Sequence, residues 1–192
     1  VGNVGGKADL IADAGNIVAG YVKGRVTAET GGGNIEIRES DGQMDTATRV
    51  GSITTNRVRG PFKGTADSGT IKVEQAGSWV FASTGTGDIF IRLVPESMGS
   101  DNHVDLNAQV GNIVLFLPEK MKATVDAVIQ RSAFGTSRFL SSFPSAAFAP
   151  IKKAGAMFPG GPEQAQYQLN GGGNLIKLRT SSGKIEVNPI KR

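Results

Sequence analysis

Gly15-Asn16-Ile17, Gly33-Asn34-Ile35, Gly51-Ser52-Ile53, Gly69-Thr70-Ile71 and Gly87-Asp88-Ile89 repeat one unit at a constant 18-residue step. A second glycine series, Gly6, Gly24, Gly42 and Gly60, keeps the same step, and Ser78 continues it. Between the glycines, apolar and polar residues alternate. Val26, Ala28 and Thr30 are separated by Thr27 and Glu29; Ile35 and Ile37 are separated by Glu36. Period two marks a strand with one buried face. Each repeat therefore holds two short strands joined by glycine-containing corners. Stacking the repeats in register predicts an all-β chain, a parallel β-helix whose neighbouring strands lie about 4.8 Å apart. Antiparallel hairpins would not keep same-sense columns, and a propeller blade needs roughly 40 residues.

The stacking predicts interior columns. One reads Ile17, Ile35, Ile53, Ile71, Ile89, and its neighbour Ala19, Ile37, Thr55, Val73, Ile91. The other strand contributes Ala8, Val26, Met44, Phe62, Val80 and Ala12, Thr30, Thr48, Ala66, Thr84. Val22, Ser40, Val58, Ala76 and Val94 form a further inward column. After Val94 the register breaks at a loop, Pro95 to Asp101, of about six inserted residues. It resumes with Val104, Leu106, Ala108, Gly111, Ile113 and Leu115 and stops at Pro118, because proline cannot donate to a ladder. Ala123, Val125, Ala127 and Ile129 start another coil, and a final coil runs through Ile176, Leu178, Thr180, Gly183, Ile185 and Val187. The chain reads as a single domain over 1–192, with regular coils in 6–94, interrupted coils in 102–129 and 174–188, and one long irregular insert, 131–165. The coil ending at Pro189 is the expected cap of its end of the stack, since bare strand edges invite self-association.

Composition narrows the chemistry. The 27 glycines lack a three-residue period, so they mark turns and not collagen. Net charge is 21 − 17 = +4, with Lys and Arg scattered, which argues against a nucleic-acid partner. Cysteine is absent, which removes disulfides, thiolate metal sites and thiol catalysis and leaves the compartment open. No apolar run approaches the roughly 18 residues of a membrane span. Val1 opens without a signal-peptide pattern, so the chain reads as a mature or trimmed fragment.

Strand–Gly-x-Ile repeats, the run Gly111-Asn112-Ile113-Val114-Leu115-Phe116-Leu117-Pro118, a variable insert, and Leu169-Asn170-Gly171-Gly172-Gly173 leading into Leu178-Arg179-Thr180-Ser181-Ser182-Gly183-Lys184-Ile185 resemble a bacterial adhesin family of β-strand-repeat domains of unknown function. The resemblance covers nearly the whole chain. It implies a right-handed single-stranded β-helix, exported and periplasmic, outer-membrane-attached or on the cell surface. Some members of that family sit beside envelope-stress signalling genes. The family pattern carries no catalytic residues.

The residues themselves agree in offering little catalysis. His103 is the only histidine and lies beside the inserted loop, where a solvated role is ordinary. No Gly-x-Ser-x-Gly elbow is present and a histidine zinc site has too few ligands. No metal and no cofactor is expected, and no acidic run suits calcium. Asp9 and Asp45 share an outward column two coils apart, about 9–10 Å, near the inverting-glycosidase range. Charge alternation with Lys63 explains that column equally well. Asn16, Asn34, Ser52, Thr70, Asp88 and Asn112 line up after the corner glycines as an asparagine-type ladder.

By alternation Trp79, Phe81 and Phe90 point outward, near one end of the regular coils, and are the expected binding residues. The insert holds Phe134, Phe139, Phe143, Phe148 and Phe158 with Pro144, Pro150, Pro159 and Pro162. Either it folds back over the outward aromatics, or an exposed apolar patch takes a protein or glycan partner or a second copy. The expected function is a non-catalytic envelope or surface domain, adhesive or scaffolding. An envelope-stress sensing module and a polysaccharide-active enzyme are the alternatives. A cluster of carboxylates with an arginine in a surface groove would favour the last.

Overall fold

A computed structural model describes residues 1–130, 138–145, 147–152 and 162–190, with only the backbone for 148–152. Phe134, Phe158 and Pro159 of the insert lie outside the described residues, as do the side chains of Phe148 and Pro150.

The described chain is all-β. Ten strands form one sheet: β1 (Ala8–Ala12), β3 (Val26–Gly32), β5 (Met44–Val50), β7 (Phe62–Ser68), β9 (Val80–Thr86), β11 (Val104–Val110), β13 (Ala123–Ile129), β15 (Phe148–Lys152), β16 (Glu163–Leu169) and β17 (Asn174–Ser182). Eight form the other: β2 (Ile17–Val22), β4 (Ile35–Ser40), β6 (Ile53–Val58), β8 (Ile71–Ala76), β10 (Ile89–Leu93), β12 (Ile113–Leu117), β14 (Arg138–Ser141) and β18 (Lys184–Pro189). From β1 to β12 the chain alternates between the sheets, and each strand from β1 to β10 pairs in parallel with the strand two further on. We call one strand from each sheet at a common level a rung. The first six rungs follow in sequence order, with Ile17↔Ile35↔Ile53↔Ile71↔Ile89↔Ile113 in register.

Between the sheets the predicted columns are buried except at Ala12, which is half-buried, and Val94. Val26, Met44, Phe62, Val80 and Val58 have no exposed surface. Ladder pairing fits this double-sided demand, because alternate residues face the interior and strand backbone groups bond to the neighbouring rungs along the stack. The inward threonines solve a corner problem. Thr30, Thr48, Thr84 and Thr180 donate to the carbonyls of Gly15, Gly33, Gly69 and Gly111 at 2.9–3.1 Å, each crossing to a neighbouring rung. The corner itself needs glycine. Gly51 has φ +143, and a Cβ there would lie 2.0 Å from the Gly33 carbonyl oxygen.

Three expectations are corrected. Val94 does not extend the inward column; it is 41% exposed. A register shift between Ile91 and Leu93 sets Leu93 opposite Ala76, and buried Leu93 fills the place one residue early. The insert is not irregular throughout: it contributes β14, β15 and the start of β16. Its described aromatics close the end of the stack, with Phe143 buried in the core and Phe139 stacked on Tyr167 at 5.1 Å. Most consequentially, the final coil is not an end cap. β17 lies between β11 and β13, and β18 between β12 and β14. The end beyond it is made by β13 and β14, followed in the larger sheet by antiparallel β16 and β15. Polar alternation in Gln164-Ala165-Gln166-Tyr167-Gln168-Leu169, with only Ala165 and Leu169 fully buried, hid β16 from an apolar-periodicity reading.

Candidate functional site

The 18-residue step that builds the core also lines up the outer face. Just before β7, β9 and β11 stand Pro61, Trp79 and His103; Leu175, preceding Ile176, continues the row at the next level. Backbone bonds hold these positions level: the Phe62 N–H donates to the Trp79 carbonyl at 3.1 Å and the Val80 N–H to the His103 carbonyl at 3.0 Å. Trp79 and His103 stack with ring centroids 5.3 Å apart and planes 10° from parallel. Leu175 is 42% exposed. The result is a ladder of apolar and aromatic surfaces along the stack axis, about 14 Å over three strand spacings.

Charge frames this ladder. Asp101 accepts from both the His103 backbone N–H, at 3.2 Å, and the imidazole Nδ1, at 2.8 Å. The ring's hydrogen bond, then the backbone one, hold the Asp101 carboxyl below the usual carboxylate value. Phe81 occupies the next column, between Lys63 and Asp105. The Lys63 ammonium sits 6.0 Å from the Phe81 ring centre, at the outer limit of a cation–π contact. Asp105 pairs with Arg179 across the rungs at 3.4 Å.

Of the three aromatics singled out from sequence, Trp79 and Phe81 share this face and Phe90 does not. Phe90 lies on the other sheet, tilted at 49° against Phe116 and 5.6 Å below the Lys72 ammonium. All three are half-buried and belong to the fifth rung, the last of the regular coils, with further rungs stacked beyond it. His103 was passed over as a solvated loop residue, although its spacing could have placed it in the site. The inserted loop lengthens the step between equivalent positions from 18, as in Asn34 to Ser52, to 24, as in Asp88 to Asn112. Trp79 plus 24 is His103.

The remaining polar candidates are occupied structurally. Asn16, Asn34, Asp88 and Asn112 each accept, through a side-chain oxygen, the backbone N–H of the equivalent residue one rung on, at 2.7–3.0 Å. Asp9 and Asp45 pair with Lys7 at 2.9 Å and Arg25 at 2.6 Å. Among the described residues no group of three His, Cys, Asp or Glu is placed to hold a metal ion, and no helix is long and apolar enough to cross a membrane.

Two hollows were missed. A groove of about 470 Å³ follows the corner where β1, β3, β5 and β7 end, and Asp13, Glu29, Arg49 and Asp67 line it. The column Asp13, Gly31, Arg49, Asp67, Gly85 keeps the 18-residue step and could have been read. An apolar hollow of about 280 Å³ lies among Val94, Pro95, Met98, Pro118 and Ile190, at the breaks in the register. It joins segments far apart in sequence, Pro118 and Ile190 among them, and no periodicity predicts it. Comparison of the chain with protein-family models, with curated proteins and with solved structures found no match.

Proposed function

We propose that the chain is a right-handed parallel β-helix serving as a non-catalytic, exported domain of the bacterial cell envelope or surface, and that it binds a glycan through the Trp79–His103 ladder. The two-sheet alternation with parallel pairing supports the β-helix reading, and parallel crossover connections are right-handed in nearly all proteins. The Trp79–His103 stack carries the binding reading. The stacked pair presents its ring edges and outer faces along a regular axis to the C–H surfaces of sugar rings, while Asp101, Lys63, Asp105 and Arg179 supply hydroxyl partners at the rim. A rigid ladder suits a repeating polymer, because its surfaces need no ordering on binding.

Trp79 is the only tryptophan, so its emission reports the site directly. A glycan array followed by fluorescence titration tests the reading. Trp79→Ala should lower affinity for any glycan found at least tenfold with an unchanged circular dichroism spectrum. An empty array, or binding indifferent to Trp79→Ala, would remove the proposal.

One observation favours a second reading. The corner groove gathers three carboxylates with Arg49, the arrangement a polysaccharide-active enzyme would use. Asp13, Glu29 and Asp67 are all exposed, however, whereas a general acid is usually held in a dry pocket. Release of new reducing ends or unsaturated products from acidic polysaccharides, abolished in Asp67→Asn, would establish the enzyme; no release from a broad panel would dismiss it.

A further inference from the structure

β17 and β18 form a rung whose neighbours in the stack are not its neighbours in sequence. β12 runs directly into β13 through residues 118–122, a longer link than the three-residue corners 23–25, 41–43 and 59–61. That longer connection passes the level of β17 and β18 and joins the rungs on either side. The inserted rung is reached from β16 through Asn170–Gly173, which crosses the start of β13. This crossing is built to reverse sharply: Asn170, Gly171 and Gly172 have φ of 50, 85 and 86. A Cβ on Gly173 would lie 2.5 Å from the Lys122 carbonyl oxygen.

We infer that residues 174–190 are an exchangeable rung, and that the partner is a second copy of this chain seating its own 174–190 in the slot. Withdrawing the rung breaks no connection between the others. It uncovers open strand edges on β11 and β13, on β12 and β14, and an apolar slot vacated by Ile176, Leu178, Ile185 and Val187. The slot accepts a segment with this alternation, a glycine corner and Thr180 at the Gly111 carbonyl, and the same segment of a second copy meets every demand. Asn174 must also meet Asn102, whose backbone N–H donates to its side-chain oxygen at 3.0 Å. At low concentration the tethered copy wins, because its effective concentration is in the range of about 1 mM. Refolding at comparable protein concentration lets copies exchange. Reciprocal exchange closes a dimer and one-way exchange builds an open chain. This extends the surface-domain reading without depending on its glycan.

The absence of cysteine makes a clean test possible. Val110 and Ser182 face each other across β11 and β17, about 4.8 Å apart, within reach of a disulfide. The double variant Val110→Cys/Ser182→Cys should close an intramolecular bond when refolded dilute. Equal amounts of the two single variants, unfolded in urea, refolded together at about 1 mM and oxidised, should give a covalent dimer containing one of each. Its yield should exceed that of either variant alone at least tenfold. A mixture that stays monomeric while the double variant closes its bond overturns exchange. A double variant that fails to close overturns the placement of the rung, and the proposal with it.

Discussion

Residues 8–117 and residues 118–190 use the same stacking chemistry under different rules of order. In the first region sequence order is stacking order. Glycine corners, asparagine ladders and threonine–carbonyl bonds recur at every step or nearly so. In the second region the columns continue, with Ile176, Leu178, Thr180, Ile185 and Val187 all buried, but the rung that carries them enters between two others. The contrast separates two kinds of information. Repeat chemistry says what a rung must look like. Connections alone, 118–122 and 170–173, say which rung lies next to which.

Glycines give the largest contrast. Gly51→Ala drives a methyl into the Gly33 carbonyl and should destabilise by more than about 3 kcal/mol in urea denaturation. Gly171→Ala meets nothing within 4 Å and should cost only the strain of a positive φ, about 1–2 kcal/mol. Equal costs would mean that the two corners are the same kind of turn.

Leu178→Ala sharpens the same comparison. Leu178 is fully buried with a rung on either side, so its loss should match that of Leu106→Ala, about 2–5 kcal/mol. A terminal coil, as the repeat pattern alone suggests, would lose much less. Next come the corner threonines. Thr48→Val removes a bond to the Gly33 carbonyl and leaves that oxygen unpaired, costing about 1–3 kcal/mol. Thr180→Val should cost the same in the inserted rung, since its bond to the Gly111 carbonyl is 3.0 Å long against 3.1 Å for that of Thr48. A smaller loss at Thr180 would show that the rung sits less tightly than its neighbours.

The smallest effect concerns the loop that first breaks the regular order. The Asp101 carboxyl is held below its ordinary value by His103. A depressed folded-state value means that the contribution to stability is present at neutral pH and disappears as pH falls through the lowered value. Asp101 is exposed, so the readout is local. Carboxyl chemical shifts should return Asp101 to the ordinary range in His103→Ala, with little change in overall stability.

Legibility followed the same division. The columns were readable because an 18-residue step places chemically equivalent demands on equivalent residues, from Ile17 to Ile89 and from Val26 to Val80. Val94 was misplaced because a one-residue shift inverts which side chain faces inward, and Leu93 is as apolar as its neighbour. β17 and β18 were recognisable as strands, yet nothing in their residues distinguishes an end from an interior slot. For the site, Trp79 and Phe81 followed from alternation. Phe90 was grouped with them because both sheets share one outward rule, although it stands on the other sheet.

Through-space proton contacts test the placement of the last rung most directly. With β17 between β11 and β13, nuclear Overhauser effects should connect Ile176 to both Val104 and Val125, and Leu178 to both Leu106 and Ala127. No direct contact should join Leu106 to Ala127. A direct Leu106–Ala127 contact, with Leu178 touching only one of them, would place the rung at an end and contradict the account.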